Sequence, residues 1–213
     1  MKETRTILLI EDQDDVAKAV RVGLEASQSY GFDVTRLSSL EDYAERAAAS
    51  PQFRQGFDLY LVDLALSGSA KAFTGLRIIK ARAFETPGAP IWVYTGHPQI
   101  QNVVRAMQLG ATDFVSKTDC PPHELALRIA RYFDEQHARS ARLAEVDRLS
   151  AEHGSEWQRE YSGQTIVLVS GQIVLSAPNQ MAAWLHYDEQ RNTHIDWPEE
   201  PDMIDIMDEG RDS

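Results

Sequence analysis

Four apolar segments in the first 120 residues each run directly into a polar side chain that can take part in chemistry. Glu11 and Asp12 follow one segment, Asp63 follows another, and Thr95 and Lys117 follow two more. If the three carboxylates lay together they would repel one another, so a divalent cation would be needed, and oxygen ligands suit Mg²⁺. A carboxylate beside Mg²⁺ can attack phosphorus and form an aspartyl phosphate. An ammonium group and a hydroxyl group can then stabilise the oxygens of the transferred group.

These side chains converge only if the segments are neighbouring strands of one parallel sheet. Helical periodicity separates the apolar segments, and such alternation predicts an α/β fold: a flavodoxin-like, doubly wound (βα)5 unit with a five-stranded parallel sheet. In such sheets ligands bind beyond the carboxyl ends of the strands. Each polar residue alone is commonly a helix cap, a turn residue or a solvated side chain, but their conjunction at successive strand ends indicates a site. The predicted strands span residues 7–10, 32–36, 57–62, 90–94 and 112–116.

Residues 5–134 resemble the receiver domain of two-component response regulators. Four stretches carry the resemblance: ILLIED at 7–12, LYLVDL at 59–64, IWVYTG at 91–96 and GATDFVSK at 110–117.

The resemblance implies a role for each acidic residue of the site. Glu11 and Asp12 would be the metal-binding acid pair, and Asp63 would be both the phosphoacceptor and a metal ligand. The main-chain carbonyl of Ala65 would complete the protein ligands of Mg²⁺. The protein itself would be no enzyme in the usual sense, because it would catalyse only its own phosphorylation and hydrolysis.

The resemblance also implies a conformational switch. Lys117 would contact the phosphoryl group, Thr95 would be the switch hydroxyl and Phe114 the switch aromatic. Phosphorylation would draw Thr95 inward and change the surface made by the fourth helix, the fifth strand and the fifth helix, a local charge event that biases a bistable element. The donor would be a sensor histidine kinase or a phosphotransfer protein.

Two loops next to the site depart from the family pattern. Ser67 stands where a proline is usual, and the loop at residues 67–74 is longer than usual. Thr118 follows Lys117 where the family has a proline after a cis peptide bond. Since a cis bond to a non-proline residue costs about 3–4 kcal/mol, the loop is either strained or trans.

These departures leave a pseudo-receiver open as the alternative: the same fold acting as a protein-binding scaffold without phosphorylation. Two enzyme-like alternatives fit less well. A haloacid-dehalogenase-type phosphatase would need a second acid where Ala65 stands, and a flavodoxin-type cofactor would meet the repulsion of Glu11 and Asp12.

The remaining third predicts a helical linker, a small module and a tail. A helix begins at Pro121-Pro122 and is expected to run to about residue 153. Its second half is interpreted either as a solvated linker or as a coiled coil that makes a homodimer. Two strand-like runs joined at Ser170-Gly171 and followed by a helix predict a small β-β-α module. The predicted segments are a receiver domain at 1–134, a linker at 135–155, the module at 156–194 and an acidic, disordered tail at 195–213.

Charge distribution restricts the partners of the C-terminal third. Residues 135–213 carry 16 acidic and 6 basic residues, a net charge of −10 out of −12 for the chain. DNA binding needs clustered Lys and Arg, so we expect a downstream protein partner and no DNA. A single cysteine, Cys120, and the lack of a long apolar segment predict a cytoplasmic protein without a membrane partner.

Overall fold

The computed structural model describes residues 2–50, 53, 56–66, 73–191, 194, 196–198 and 200–207. The chain forms two compact units, Met1–Phe133 and Asp134–Ser213. Within the described residues, no helix is long and apolar enough to cross a membrane.

The first unit is the predicted five-stranded parallel sheet, with the strand order β2-β1-β3-β4-β5. The reversal of strand order beside β1 is the switch point at which doubly wound sheets bind ligands. The strands are β1 (Glu3–Ile10), β2 (Tyr30–Leu37), β3 (Leu59–Val62), β4 (Ile91–Thr95) and β5 (Asp113–Ser116). The helices are α1 (Asp14–Glu25), α2 (Leu40–Ala49), α3 (Gly75–Glu85), α4 (Ile100–Gln108) and the beginning of α5 (Pro122–Tyr161).

The central strands are apolar along their whole length because both faces of the sheet are covered. Every residue of β3 and β4 is buried. One core, which includes Leu9, Leu61 and Ile129, lies on the face covered by α1 and α5. A second core, which includes Ile10 and Val62, lies on the opposite face under α2, α3 and α4. Side chains alternate between the two faces, so each central strand contributes to both cores.

Local signals place the helix ends. Ser39 caps α2, because its hydroxyl accepts a hydrogen bond from the Asp42 amide at 3.0 Å. Gly110 ends the turn after α4 with φ +107°. A Cβ there would come within 2.4 Å of the Ala83 Cβ, so both the backbone conformation and the space require glycine.

The two unusual loops have different outcomes. Residues 67–72 of the predicted long loop lie outside the described residues. The Lys117–Thr118 peptide bond is trans, since the described part of the chain contains no cis peptide bond. Of the two conformations open for Thr118, the trans loop is therefore the one formed.

The helix α5 continues past the predicted end near residue 153, to Tyr161. Gly154 does not interrupt it, although glycine costs about 1 kcal/mol relative to alanine in a helix. Burial offsets that cost, because Leu149 and Trp157 belong to the core of the second unit. The expectation that this region is only a solvated linker is therefore wrong from about Val146 onward, where the helix packs on a sheet.

That second unit has the predicted hairpin and helix, with one further strand. The hairpin pairs β6 (Thr165–Val169) with β7 (Gln172–Ala177), and the helix α6 (Gln180–Arg191) follows. Strand β8 (Asp202–Asp205) pairs antiparallel with β6, which gives the order β7-β6-β8. One core, with Trp157 and Ile166, lies on the α5 side of this sheet. The other, with Val167 and Ala183, lies on the α6 side.

The predicted disorder of residues 195–213 is wrong for the part that forms β8. Met203 and Ile204 alternate between the two cores of the second unit, as the side chains of a half-buried strand do. Ring stacking holds the segment before the strand: Trp197 lies 5.1 Å from Tyr187, at 8° between the ring planes. The Tyr187 hydroxyl donates to the Pro198 carbonyl at 2.7 Å. The sequence predicted disorder because this segment is rich in acidic residues, and its few apolar residues did not stand out.

Replacing Trp197 by alanine tests whether stacking orders this segment. We expect a loss of roughly 1–2 kcal/mol from the half-buried ring and faster amide hydrogen exchange in β8. Met181→Ala, at an exposed position of α6, is the control. Unchanged exchange at Met203 and Ile204 in the Trp197 variant would show that stacking does not order the segment.

Candidate functional site

The ends of β1 and β3 bring the predicted carboxylates together. The Asp63 amide donates to the Ile10 carbonyl at 2.9 Å, which extends the β1–β3 ladder by one residue. The Glu11 amide likewise donates to the Leu37 carbonyl of β2 at 3.0 Å. One carboxylate oxygen from each of Glu11, Asp12 and Asp63 lies within 4.8 Å of the others. The predicted acidic cluster is therefore formed.

Lys117 lies between two of these carboxylates. Its Nζ is 2.6 Å from the Glu11 Oε2 and 2.6 Å from the Asp63 Oδ2. Glu11 is 1% exposed and Asp63 is 3% exposed, so water screens this cluster poorly. A buried pair of acids needs a cation beside it, and the ammonium group supplies one.

The pKa values of Glu11 and Lys117 are both shifted upward, for different reasons. Burial raises the pKa of Glu11 above its ordinary value, although Lys117 acts to lower it. Burial alone would lower the pKa of Lys117, but the charges of Asp63 and Glu11 outweigh burial, and the net shift is upward. The ammonium form of Lys117 is therefore the one that the site favours.

Tyr94 supports the lysine, and sequence reasoning did not identify it. The Lys117 Nζ lies 5.7 Å from the centre of the Tyr94 ring, and the Tyr94 hydroxyl donates to the Cys120 carbonyl at 3.1 Å. The ring thus contacts the ammonium group while its hydroxyl anchors the loop after Lys117. Burial raises the pKa of Tyr94 to about 12, so the hydroxyl remains a donor at neutral pH.

Thr95 and Phe114 lie where the resemblance places the switch residues. Thr95 is fully buried at the end of β4, and its hydroxyl accepts a hydrogen bond from the His97 amide at 3.3 Å. The Lys117 amide donates to the Thr95 carbonyl at 2.9 Å, so the hydroxyl and the lysine come from adjacent strand ends. Phe114 is half-buried against the α2–α4 side of the sheet.

The donor set fits a divalent cation of the Mg²⁺ type. The side-chain ligands of the cluster are carboxylate oxygens, which such ions prefer. The second oxygen of Glu11 accepts the Gln13 amide at 3.1 Å, and the second oxygen of Asp63 accepts the Ala65 amide at 3.2 Å. These bonds hold both carboxylates in place. The role of the Ala65 carbonyl as a ligand stays a prediction.

Gly75 begins α3 directly against the backbone of Asp63. A Cβ at Gly75 would lie 2.1 Å from the Asp63 carbonyl oxygen and 2.8 Å from the Leu64 Cα. The Gly75 amide also donates to the Leu64 carbonyl at 3.1 Å. Only glycine allows this close approach, so Gly75 fixes the path of the chain immediately after Asp63.

Gly75→Ala is expected to lower the free energy of unfolding by about 1–3 kcal/mol, because an inserted methyl group must displace backbone. It should also weaken the metal affinity of the site, since Asp63 would move with its backbone. Urea unfolding and Mg²⁺ titration measure the two effects. Gly96→Ala is the matched control, because a Cβ at Gly96 meets nothing within 4 Å. Equal effects of the two variants would contradict this role of Gly75.

The five-stranded parallel sheet, with Glu11, Asp12, Asp63, Thr95 and Lys117 at its strand ends, is typical of receiver domains. The family model for the response regulator receiver domain matches residues 7–130, so the chain belongs to the response regulator receiver family of two-component signal transduction.

Relatives are similar over this N-terminal part. The alginate biosynthesis transcriptional regulatory protein AlgB of Pseudomonas aeruginosa is 31% identical over 141 residues, which are 66% of this chain and 28% of AlgB. The swarming motility regulation protein RssB of Serratia marcescens is 30% identical over 123 residues, 58% of this chain and 50% of RssB. The chain thus spans half or less of each of these two relatives.

Solved structures share the fold. A CheY-like response regulator receiver domain from Methanospirillum hungatei JF-1 is 21% identical and superposes with a TM-score of 0.50, covering 64% of this chain and 99% of that one. The Mn²⁺-bound form of response regulator Rcp1 is 17% identical, also with a TM-score of 0.50, covering 61% of this chain and 94% of Rcp1.

Proposed function

We propose that this protein accepts a phosphoryl group on Asp63, with Mg²⁺ held by Glu11, Asp12 and Asp63, from a sensor histidine kinase or a phosphotransfer protein. The observation that carries the proposal is the position of the Lys117 ammonium group, 2.6 Å from both Glu11 and Asp63. An acceptor carboxylate, two further acids and a lysine within one cleft are the groups that transfer to an aspartate requires.

Each residue of the cleft has a different role in phosphoryl transfer. An Asp63 oxygen attacks phosphorus, a new O–P bond forms, and the bond from phosphorus to the donor's leaving group breaks. Mg²⁺, when bound, neutralises charge on the phosphoryl oxygens. Lys117, which follows β5, compensates negative charge on the phosphoryl oxygens. The amide of Ala65 holds the Asp63 carboxylate in place through its 3.2 Å hydrogen bond.

Signal output follows from Thr95 and Phe114. A phosphoryl group on Asp63 offers new acceptors to the Thr95 hydroxyl, which in the present conformation accepts a bond from the His97 amide. Movement of Thr95 frees space beside β5, into which the half-buried ring of Phe114 turns. Such a local charge event shifts the population of a two-state surface.

The output itself is protein–protein contact in the cytoplasm rather than DNA binding. AlgB is a transcriptional regulator, but its similarity to this chain covers 28% of its length. Residues 135–213 of this chain carry a net charge of −10, which phosphate backbones repel. A three-stranded antiparallel sheet with two helices fits a small protein-binding module better than a DNA reader of that charge.

A pseudo-receiver scaffold is the second candidate, and one observation favours it. The loop after Lys117 has Thr118 in place of the family's proline and is trans. That loop borders the phosphoryl-contacting lysine, so a scaffold that never accepts phosphate would tolerate its change.

Phosphorylation with a small donor separates the two candidates. With Mg²⁺ and acetyl phosphate, we expect intact-mass spectrometry to show the gain of one phosphoryl group, and we expect chelation of Mg²⁺ to prevent it. Asp63→Asn should abolish the gain, because an amide is not a nucleophile for this transfer. Asp58→Asn, at the acid just before β3 and thus at the end of the strand away from Asp63, is the control that should retain it. A folded wild-type protein that gains nothing and binds no beryllofluoride would support the scaffold instead.

A further inference from the structure

One arginine contacts the main chain of both residues of the acid pair. Arg36 lies in β2, opposite Leu9 of β1 in the ladder. Its Nε donates to the Glu11 carbonyl at 3.0 Å, and its Nη2 donates to the Asp12 carbonyl at 3.0 Å. The ladder between β1 and β2 has its last pair at Ile10, so these two carbonyls lie just beyond it.

We propose that Arg36 is a positioning residue for the metal-binding pair Glu11 and Asp12, an inference that rests on the Mg²⁺ site of the proposed function. The guanidinium group is a planar fork with donors in fixed directions. Bonds from two of its nitrogens to successive carbonyls fix the orientation of two successive peptide planes. Fixing these peptide planes also fixes the directions in which the side chains of Glu11 and Asp12 leave the backbone.

The third guanidinium nitrogen of Arg36 forms an ion pair with Asp14, which lies outside the site. The Arg36 Nη1 lies 2.5 Å from the Asp14 Oδ1 in the first turn of α1. Asp14 is 90% exposed, so this ion pair contributes little to stability by itself. It does orient the guanidinium plane, whose other edge faces the carbonyls of Glu11 and Asp12.

Positioning and charge have opposite effects at this position, which makes the proposal testable. A positive charge near a cation site repels the cation, so a purely electrostatic Arg36 would weaken Mg²⁺ binding, and its removal would strengthen binding. A positioning Arg36 strengthens binding, and its removal weakens it. Lysine keeps the charge but not the fork, so it separates the two roles further.

The experiment measures the Mg²⁺ dissociation constant by tryptophan fluorescence for Arg36→Lys and Arg36→Ala. Arg21→Ala is the matched control, since Arg21 also donates to a β2 carbonyl, that of Val34. We expect both Arg36 variants to bind about 10-fold more weakly, as is usual when an outer partner of a metal ligand is lost. The control should bind as the wild type does. A lysine variant equal to the wild type, or an alanine variant that binds more tightly, would overturn the proposal.

A metal-free measurement keeps the inference separate from the proposed function. The Gln13 amide donates to the Glu11 Oε1 at 3.1 Å, so its hydrogen exchange reports whether the acid pair is held. In metal-free protein, exchange at Gln13 should be faster in Arg36→Lys than in Arg21→Ala, with equal melting temperatures. Equal exchange in the two variants refutes positioning. A wild type that binds no Mg²⁺ refutes the proposed function, while the exchange result still decides the role of Arg36. Arg36→Lys serves for both readouts if the alanine variant does not fold.

Discussion

The first unit depends on the pairing of two buried carboxylates with one lysine, beside a third carboxylate that is only partly buried. Glu11 and Asp63 are almost fully buried, and Lys117 supplies the positive charge between them. An isolated buried charge costs several kcal/mol, so the acids and the lysine are stable only as a set. A divalent cation and a phosphoryl group would redistribute charge within that set, which is why the same residues serve both stability and function.

The register of the parallel strands brings the acids and the lysine together. The amides of Glu11 and Asp63 continue the ladders of their strands by one residue, and the Lys117 amide does the same beside Thr95. Each functional side chain therefore leaves the backbone within one residue of a rigid strand. Beyond the ladders, the chain needs other supports: the fork of Arg36 on the acid pair, the close approach of Gly75 to Asp63, and the Tyr94 ring beside Lys117.

Sequence reasoning predicted the fold and the convergent residues because both depend on short, regular patterns. Apolar runs that end in a functional residue specify strand ends, and the alternation of strands and helices specifies a parallel sheet. Arg36 and Gly75 were not predicted, because an arginine in a strand or a glycine at a helix start has many commoner explanations than contact with a site. Such roles appear only when three-dimensional distances are known.

The second unit shows the same limit for weak sequence signals. The hairpin at Ser170-Gly171 was predictable from turn chemistry, and both residues have positive φ values. The strand β8 was missed because its two apolar residues, Met203 and Ile204, stand among acids, and acidic composition usually indicates disorder. The length of α5 was underestimated at Gly154, where burial of Trp157 outweighs helix propensity. In both cases tertiary contacts that the sequence does not display decided the outcome.

The central claim is that Glu11, Asp12 and Asp63 together hold one divalent cation. Calorimetric titration of the full chain with Mg²⁺, for the wild type and for Asp12→Asn, tests it most directly. Asp12 is the informative position because Lys117 forms its 2.6 Å ion pairs with Glu11 and Asp63, and both of those residues remain in the variant. We expect one Mg²⁺ per wild-type chain and a large loss of affinity in the variant. No binding by the folded wild type, or equal binding by both proteins, would contradict it.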